Sequence, residues 1–281
     1  MKQNIIRFIG ATLNTTAAIA PKKAASIALR LFASPKKGKM TDADIPVVQS
    51  AFFEEIDYDQ YSIATYRWIG DKETILLCHG WESNSARWKD LIRHLKDQSY
   101  TVICLDAPAH GKSSGKEFNA ILYAEFINVI AKKFNPEIII GHSVGGMASV
   151  FFQYKYQLSA LNKLVLLGAP AHFEGVFDRY KKMMGFNTKI SNSIDTLVFE
   201  RFGNYPNHYD ASKFSKNIEA ETLLIHDEKD LVIPFEDVKL YQQNLPNSKL
   251  IKVNNQGHGL KGETTNKAIL EFIGVKKAVE I

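Results

Sequence analysis

From about residue 72, short apolar runs alternate with longer amphipathic segments. The runs are almost continuously apolar, which is typical of strands that are buried on both faces of a sheet. They are "TILLCHG", "YTVICLD", "EIIIGHS", "KLVLLGAP", "TLLIHDE" and "KLIKVNN". Segments of helix length, such as "SARWKDLIRHLKDQ" and "EFNAILYAEFINVIAKKF", lie between most of them. Repeated strand, helix, strand units predict an α/β fold with a mainly parallel central sheet and helices on both faces.

The region before these runs has two different patterns. "VVQSAFFEEIDYDQYSIATYRWIG" alternates aromatic, β-branched and polar residues, which predicts an antiparallel hairpin. "KQNIIRFIGATLNTTAAIA" and "PKKAASIALRLFAS" predict two helices, with Pro21 in a first turn and Pro35 at a stop. We therefore divide the chain into an N-terminal helical arm, residues 1–45, and an α/β domain, residues 46–281.

The composition fits one large core with a small appendage. The chain has 281 residues, of which 45% are hydrophobic. No apolar run approaches the roughly 18 to 20 residues that a membrane crossing requires. The two cysteines, Cys78 and Cys104, fall inside predicted strands, where a reduced thiol acts as a small apolar side chain. Cysteine usage thus predicts a reducing, cytoplasmic location.

The net charge of +5 comes from one end of the chain. Eight of the 35 basic residues lie in residues 1–40, which contain no Asp or Glu. The other 27 are outnumbered by 30 acidic residues. The main body is therefore slightly acidic, which argues against a nucleic-acid-binding face.

The basic N-terminal segment has three interpretations. The first is a signal peptide, because Ala18, Ile19 and Ala20 resemble a cleavage site, although Arg7 interrupts the apolar region and Pro21 would follow the cut. The second is a basic amphipathic helix in peripheral contact with an anionic membrane, through residues 1–40. The third, which we prefer, is a helical arm packed on the rest of its own chain.

The stretch "IIIGHSVGG" places a serine between a predicted strand and a predicted helix. In a G-x-S-x-G turn of this kind, Ser143 takes a strained backbone conformation at the apex. Gly141 and Gly145 are needed because strand and helix approach too closely for side chains. The turn would expose the Ser143 hydroxyl and place the Val144 amide in the first turn of a helix.

A serine hydroxyl becomes a nucleophile when a base takes its proton and an acid orients that base. The next candidates follow two later strands: "DEKDLVIPF" supplies three acids and "QGHGL" supplies His258. We select Asp230, because the apolar residues after it place it on the bend before a helix. Asp227 is the second choice, and His258 as a surface histidine is the alternative interpretation.

The turn after the first parallel strand, "LLCHGWE", supplies a further backbone donor. We expect the amides of Trp81 and Val144 to form an oxyanion hole. The Trp81 ring either lines a pocket or packs in the core. The residues predicted to line the substrate pocket are His79, Gly80, His142, Phe173 and Phe177.

Together these motifs resemble the α/β-hydrolase family over roughly residues 50–275. The matching marks are "HGW" at 79–81, "LDAPAHGKSS" at 105–114, "GHSVGG" at 141–146, "HDEKDLVIP" at 226–234 and "GHG" at 257–259. The resemblance implies Ser143 as nucleophile, Asp230 as acid and His258 as base. Ala109 stands where the family usually has glycine, but this turn is structural, so the departure has little bearing on the expected catalysis. A serine nucleophile argues against dehalogenase and epoxide hydrolase chemistry, which would require aspartate.

Residues 171–217, between two predicted strands, are interpreted as a short helical cap. This insertion carries ten Phe, Tyr and Met residues on two or three small helices. We assign most of them to the core, while several would line an apolar slot over Ser143. The segment has no cluster of arginines, so a strongly anionic substrate is not expected.

The sequence therefore predicts a serine hydrolase, a carboxylesterase or lipase-like enzyme that cleaves a small-molecule ester or thioester through an acyl-enzyme. Alternatives are an acyltransferase or a carbon–carbon bond hydrolase on the same site, and a non-catalytic binding protein on this fold. We expect no cofactor. "GKSSGK" lacks the first glycine of a phosphate-binding loop, because Asp106 stands there, and the histidines lack metal-ligand spacing. No feature indicates an oligomeric state.

Overall fold

The computed structural model describes residues 2–275 of the chain. Met1, the first residue of the predicted N-terminal arm, lies outside the described residues. Residues 276–281, the last residues of the predicted α/β domain, also lie outside them. The helices are α1 (Lys2–Ile19), α2 (Pro21–Ala33), α3 (Ile45–Val48), α4 (Lys89–Asp97), α5 (Ala120–Phe134), α6 (Val144–Tyr156), α7 (Phe173–Met184), α8 (Thr188–Phe202), α9 (Ala211–Phe214), α10 (Phe235–Asn244) and α11 (Glu263–Ile273). The strands are β1 (Phe52–Tyr58), β2 (Tyr61–Trp68), β3 (Lys72–Cys78), β4 (Tyr100–Leu105), β5 (Ile138–His142), β6 (Lys163–Leu167), β7 (Glu221–Asp227) and β8 (Ser248–Val253).

The chain divides into two compact units. The segment that ends at Ser34 and the segment His172–Asp210 form the first, which we call the helical unit. Pro35–Ala171 and the segment from Ala211 onward form the second, which we call the sheet unit. The predicted cap extended to about residue 217, but residues 211–217 belong to the sheet unit.

The sheet has eight strands in the order β1-β2-β4-β3-β5-β6-β7-β8. β1 and β2 form an antiparallel hairpin, and β2 pairs antiparallel with β4. All the other pairs are parallel. This arrangement confirms the predicted α/β fold with a mainly parallel sheet.

Both faces of the sheet are buried. Alternate side chains of a strand point to opposite faces. Ile75 and Leu77 of β3 belong to one core cluster, which also contains side chains of α4 and α11. Leu76, between them, is also fully buried and faces the other side, on which α6 contacts β3, β5 and β6. Continuous apolar runs are therefore required, because every strand residue at the centre is enclosed.

The parallel strands bring their carboxyl ends to the same edge. In the register of the ladder, Cys78 is opposite Gly141, His142 is opposite Leu167, and Asp227 is opposite Val253. The loops that follow β3, β5, β6, β7 and β8 consequently begin next to one another. In open α/β sheets such an edge is where binding and catalytic groups gather.

The helical unit has its own core. Apolar side chains of α1, α2, α7 and α8 form one cluster: Leu13, Ala17, Ala24, Ala25, Ala28, Leu29, Phe177, Met184, Ile190, Ile194, Leu197 and Val198. Tyr180 donates a hydrogen bond to the carbonyl of Ala28 at 2.8 Å. Asn14 of α1 bonds the backbone of Gly185 and Asn187. The N-terminal helices and the inserted helices thus share a core, although about 140 residues separate them in the sequence.

Within the described part of the chain, no helix has both the length and the apolar content that a membrane crossing requires.

Replacing Phe177 by alanine should destabilise the protein. The Phe177 ring is fully buried and packs against Phe32, Phe173 and Tyr180, so its loss leaves a cavity that costs about 3 to 5 kcal/mol. The control is Phe8→Ala, in the same unit, where the ring is 73% exposed and the change should stay within about 0.5 kcal/mol. The free energy of unfolding in guanidinium chloride measures both. Equal values for the two variants would contradict this account of the helical core.

Candidate active site

Ser143 occupies the tight turn between β5 and α6. Its backbone angles are φ 53° and ψ −127°, a conformation that non-glycine residues rarely adopt. A side chain at Gly145 would place its Cβ 2.3 Å from the carbonyl oxygen of Cys78, and one at Gly141 would lie 2.5 Å from the Cα of Gly146. The two glycines are therefore needed because β5, α6 and β3 touch through their backbones.

The turn is held from β6 as well. The Ser143 amide donates a hydrogen bond to the carbonyl of Leu167 at 2.8 Å, and the Ser143 carbonyl accepts from the amides of Gly146 and Met147. The backbone on both sides of Ser143 is consequently fixed, and the side chain starts from a defined position.

The hydroxyl of Ser143 meets the imidazole of His258. Ser143 Oγ lies 2.9 Å from His258 Nε2, and His258 Nδ1 lies 2.7 Å from Asp230 Oδ2. The carboxylate can only accept, so Nδ1 carries the proton and Nε2 is free to accept from the hydroxyl. The structure thus brings three predicted residues, from the loops after β5, β7 and β8, into one hydrogen-bonded series.

Asp230 is held by the loop that carries it. Its Oδ1 accepts from the amides of Val232 and Ile233 at 2.7 and 3.1 Å, and its side chain is fully buried. Burial alone would raise the pKa of this carboxyl group, but the hydrogen bonds from His258 and from the two amides outweigh it. The pKa of Asp230 therefore lies below its ordinary value, and the group is a carboxylate.

Asp227, the second choice for the acid, makes different contacts. Its Oδ2 accepts from the amides of Gln256 and Gly257 at 2.5 and 2.7 Å, and its Oδ1 accepts from the amide of Lys229 at 2.8 Å. Burial acts to raise the pKa of Asp227, but these three amides bring it below its ordinary value of 3.8. The carboxylate of Asp227 thereby joins the Asp230 loop to the His258 loop.

Two further side chains hold the backbone at His258. His142 Nε2 donates to the carbonyl of His258, and Arg87 Nη2 donates to the carbonyl of Gly259, both at 2.8 Å. Burial lowers the pKa of His142 well below its ordinary value, so this ring is neutral. Its Nδ1 is buried and has no hydrogen-bond partner among the described residues. His142, predicted to line the pocket, thus also supports the loop of His258.

The two amides predicted for the oxyanion hole belong to the turn that carries Ser143 and to the turn after β3. Val144 begins α6 directly after the serine, and Trp81 belongs to the turn after β3. The turn after β3 passes close to Ser143, because a Cβ on Gly80 would be 3.0 Å from the Cβ of Ser143. A larger residue at position 80 would press directly on the serine.

The predicted pocket residue His79 serves the turn instead of facing a substrate. Its ring is fully buried, with Nδ1–H donating to the carbonyl of Gly80 and Nε2 accepting from the amide of Ala107. Burial lowers the pKa of His79 to about 4, so the ring stays neutral. The Trp81 ring is half-buried and meets His110 and Phe118 edge to face.

Phe173 and Phe177, the other predicted pocket residues, belong to the helical unit. Phe177 is fully buried in its core, and Phe173 stacks on it with ring centroids 5.0 Å apart. Contacts within the unit account for both rings.

Within residues 2–275, no group of three or more His, Cys, Asp or Glu side chains is arranged to hold a metal ion. The carboxylates of Asp227 and Asp230 accept from backbone amides, and the His258 imidazole is bound between Asp230 and Ser143.

Sequence analysis missed the role of Asp227 and Arg87 in holding the His258 loop. For Asp227 a signal existed, because an acid at the end of a buried strand needs donors, and "NNQGHG" supplies backbone amides after the neighbouring strand. For Arg87 no comparable signal exists, since its partner carbonyl is 172 residues away.

Two family models match this chain. One, described as alpha/beta hydrolase fold, matches residues 73–184, and one described as TAP-like protein matches residues 203–274. The bifunctional esterase/perhydrolase DCH of Acinetobacter calcoaceticus is 24% identical over 72% of this chain and 92% of its own. A 2-hydroxy-6-oxononadienedioate/2-hydroxy-6-oxononatrienedioate hydrolase of Pseudomonas putida is 24% identical over 82% of this chain and 98% of its own. Among solved structures, the thioesterase domain from the curacin biosynthetic pathway is similar, with a TM-score of 0.59, 14% identity and coverage of 80% and 99% of the two chains.

Asp227→Asn should lower kcat about tenfold to a hundredfold, because a neutral amide holds the loop amides less firmly and the imidazole loses its alignment. KM should change little. Glu228→Gln is the matched control: it removes the same charge one residue away, from a half-exposed side chain paired with Lys252, and kcat should stay within about twofold. Steady-state kinetics on an activated ester measures both.

The same variant tests the lowered pKa of Asp227. A carboxyl group with a lowered pKa in the folded state stabilises the fold above its unfolded pKa and loses this contribution as the pH falls through the folded value. The wild type should therefore lose stability below pH 3.8 more steeply than Asp227→Asn. The assigned role of Asp227 would be contradicted if the wild type and Asp227→Asn showed the same dependence of urea unfolding on pH. It would also be contradicted if Asp227→Asn and Glu228→Gln had the same kcat.

Proposed function

Because the chain belongs to the α/β-hydrolase fold family, we propose that it is a serine hydrolase that cleaves a carboxylic ester or thioester through an acyl-enzyme. The observation that carries the proposal is the hydrogen-bonded series from Asp230 through His258 to Ser143, with distances of 2.7 and 2.9 Å. This is the arrangement by which an imidazole takes the proton of a hydroxyl while a carboxylate stabilises the resulting cation.

In the first half of the reaction, Ser143 Oγ attacks the carbonyl carbon of the substrate as His258 Nε2 accepts the hydroxyl proton. Asp230 keeps the proton on Nδ1 and stabilises the imidazolium. The carbonyl oxygen becomes an anion, which the amides of Trp81 and Val144 would stabilise by hydrogen bonds. One such donor is worth about 10² to 10³ in rate.

In the second half, His258 Nε2–H donates its proton to the leaving alcohol or thiol, and the acyl group remains on Ser143. His258 then removes a proton from a water molecule, which attacks the acyl carbon, and the imidazolium returns that proton to Ser143 Oγ as the bond from Oγ to the acyl carbon breaks and the acid leaves. The Ser143 hydroxyl supplies the nucleophile, the His258 imidazole supplies the base and the Asp230 carboxylate orients that base. The proposed reaction therefore needs no cofactor.

The choice of an ester or thioester is supported by the relatives. One of them is named an esterase/perhydrolase, and a structural neighbour is a thioesterase domain. Carboxylesterase or lipase-like activity is the most specific form of the proposal. An acyltransferase would use the same acyl-enzyme with a different acceptor in place of water.

A second candidate is hydrolysis of a carbon–carbon bond beside a ketone. It is favoured by the Pseudomonas putida relative, whose name describes a hydrolase of 2-hydroxy-6-oxo dienedioates and trienedioates and which matches 82% of this chain. A series of p-nitrophenyl esters of increasing chain length, acyl thioesters and β-diketones separates the two candidates. Turnover of esters or thioesters at least about a hundredfold above that of diketones supports the first.

We propose the cytoplasm as the compartment. Cys78 and Cys104 are both buried free thiols, and burial raises the pKa of each. Protonated, enclosed thiols of this kind are compatible with a reducing environment.

A fluorophosphonate probe should label Ser143 in the folded protein, and Ser143→Ala should abolish labelling. His258→Gln should slow it by about 10³ or more, because no base then takes the hydroxyl proton. Ser193→Ala, which removes an exposed hydroxyl elsewhere in the chain, is the matched control and should be labelled as fast as the wild type. Labelling is measured by intact mass, and the site by peptide mapping.

Failure of the folded wild type to react would favour a non-catalytic binding protein over an enzyme. Labelling that persists in Ser143→Ala would assign the nucleophile to another residue. Circular dichroism on each variant shows that loss of reaction is not loss of fold.

A further inference from the structure

The outer side of α1 is apolar where a surface helix is ordinarily charged. Ile5, Phe8 and Ile19 are 56%, 73% and 90% exposed. Ile5 and Phe8 are three residues apart, and Phe8 and Ile19 are eleven residues apart, which is about three helical turns. The three side chains therefore lie on one face of the helix. The opposite face, with Leu13 and Ala17, is buried in the core of the helical unit.

The exposed face carries no charge over most of its length. Between Phe8 and Pro21 the chain has no Asp, Glu, Lys or Arg, and the exposed residues there are Ala11, Thr12, Thr15, Ala18 and Ile19. A helix of this length in water usually presents charged and polar side chains to the solvent. The exposed strip is about 21 Å long, from Ile5 to Ile19.

The two threonines on this face do not oppose removal from water. Thr12 Oγ1 donates to the carbonyl of Phe8 at 3.0 Å, and Thr15 Oγ1 donates to the carbonyl of Ala11 at 3.1 Å. Each hydroxyl proton is thus already bound within the helix. Burial of the face therefore leaves no side-chain donor without a partner.

Positive charge flanks the strip. Arg7 lies near the amino-terminal end of the strip, between Ile5 and Phe8, and Lys22 and Lys23 follow its carboxyl-terminal end. All three are exposed, and residues 1–41 contain no acid. Lys22 pairs with Glu200, so Arg7 and Lys23 are the flanking cations without a carboxylate contact among the described residues. A second copy of the chain docked on the same face would bring these like charges together, which argues for an anionic partner.

We propose that α1 is a peripheral membrane-binding surface that lies on a bilayer containing anionic lipids. Phe8, Ile5 and Ile19 enter the boundary between headgroups and acyl chains, and Arg7 and Lys23 contact the lipid phosphates. Because the buried side of α1 is already packed, the helix is formed before it meets the bilayer and needs no ordering on binding. This proposal is independent of the proposed function.

The test is sedimentation of the full chain with vesicles of phosphatidylcholine alone and of phosphatidylcholine mixed with phosphatidylglycerol. The wild type should sediment with the mixed vesicles and not with the neutral ones, and binding should weaken as salt rises. Phe8→Ser should weaken binding about tenfold, because it removes the largest exposed apolar side chain of the strip. Lys23→Gln should weaken it about fivefold.

Two matched controls make the same chemical changes elsewhere. Ile69→Ser removes a side chain that is 76% exposed in the sheet unit, and Lys249→Gln removes an exposed cation of that unit. Both should bind as the wild type does. Circular dichroism and unfolding in urea should be unchanged in all four variants, because every altered side chain is exposed.

Three results would overturn the proposal. The first is that the wild type does not sediment with anionic vesicles. The second is that Phe8→Ser binds as tightly as Ile69→Ser. The third is a concentration-dependent dimer in sedimentation velocity that Phe8→Ser dissociates, since this would assign the face to a second copy of the chain.

Discussion

The candidate site depends on one imidazole that is shared between a carboxylate and a hydroxyl. His258 contacts Asp230 through Nδ1 and Ser143 through Nε2. The three residues follow three different strands, so the contact exists only if the ends of β5, β7 and β8 are held in a common register. The parallel ladder sets that register, and Asp227 adds a direct link by binding the amides of the loop before His258. Positioning of this kind lets the chemistry begin from a nearly correct geometry.

The same edge of the sheet stores backbone strain. Ser143 keeps a sparsely populated conformation because its amide is bound by β6 and because glycines let β3 and α6 approach it. The neighbouring histidines are neutral and buried, and they hold backbone instead of titrating near the site: His79 fixes the turn after β3, and His142 fixes the carbonyl of His258. Rigid surroundings of this type leave the Ser143 hydroxyl and the His258 imidazole as the pair between which a proton can pass, with Asp230 as the carboxylate that orients the ring.

Local patterns predicted much of this arrangement, and long-range packing supplied the rest. The buried strands follow from continuous apolar runs, and the turn at Ser143 follows from small residues between a strand and a helix. The carboxylate of Asp227 could have accepted from any nearby donor, so its partners follow only from the pairing of β7 with β8. In the same way, the alanines of α2 indicate a face that packs closely, but not that the partner is α8, far along the chain. Periodicity identifies a buried face, whereas its partner depends on the assembled fold.

The most direct measurement of the central claim is the intact mass of the protein mixed rapidly with a p-nitrophenyl ester and quenched in acid. The account predicts a burst of nitrophenol equal to one active site and a mass increase of one acyl group, carried by the peptide that contains Ser143. His258→Gln should show neither. Steady nitrophenol release without an acylated peptide, or acylation that is as fast in His258→Gln, would contradict the claim that this imidazole activates this hydroxyl.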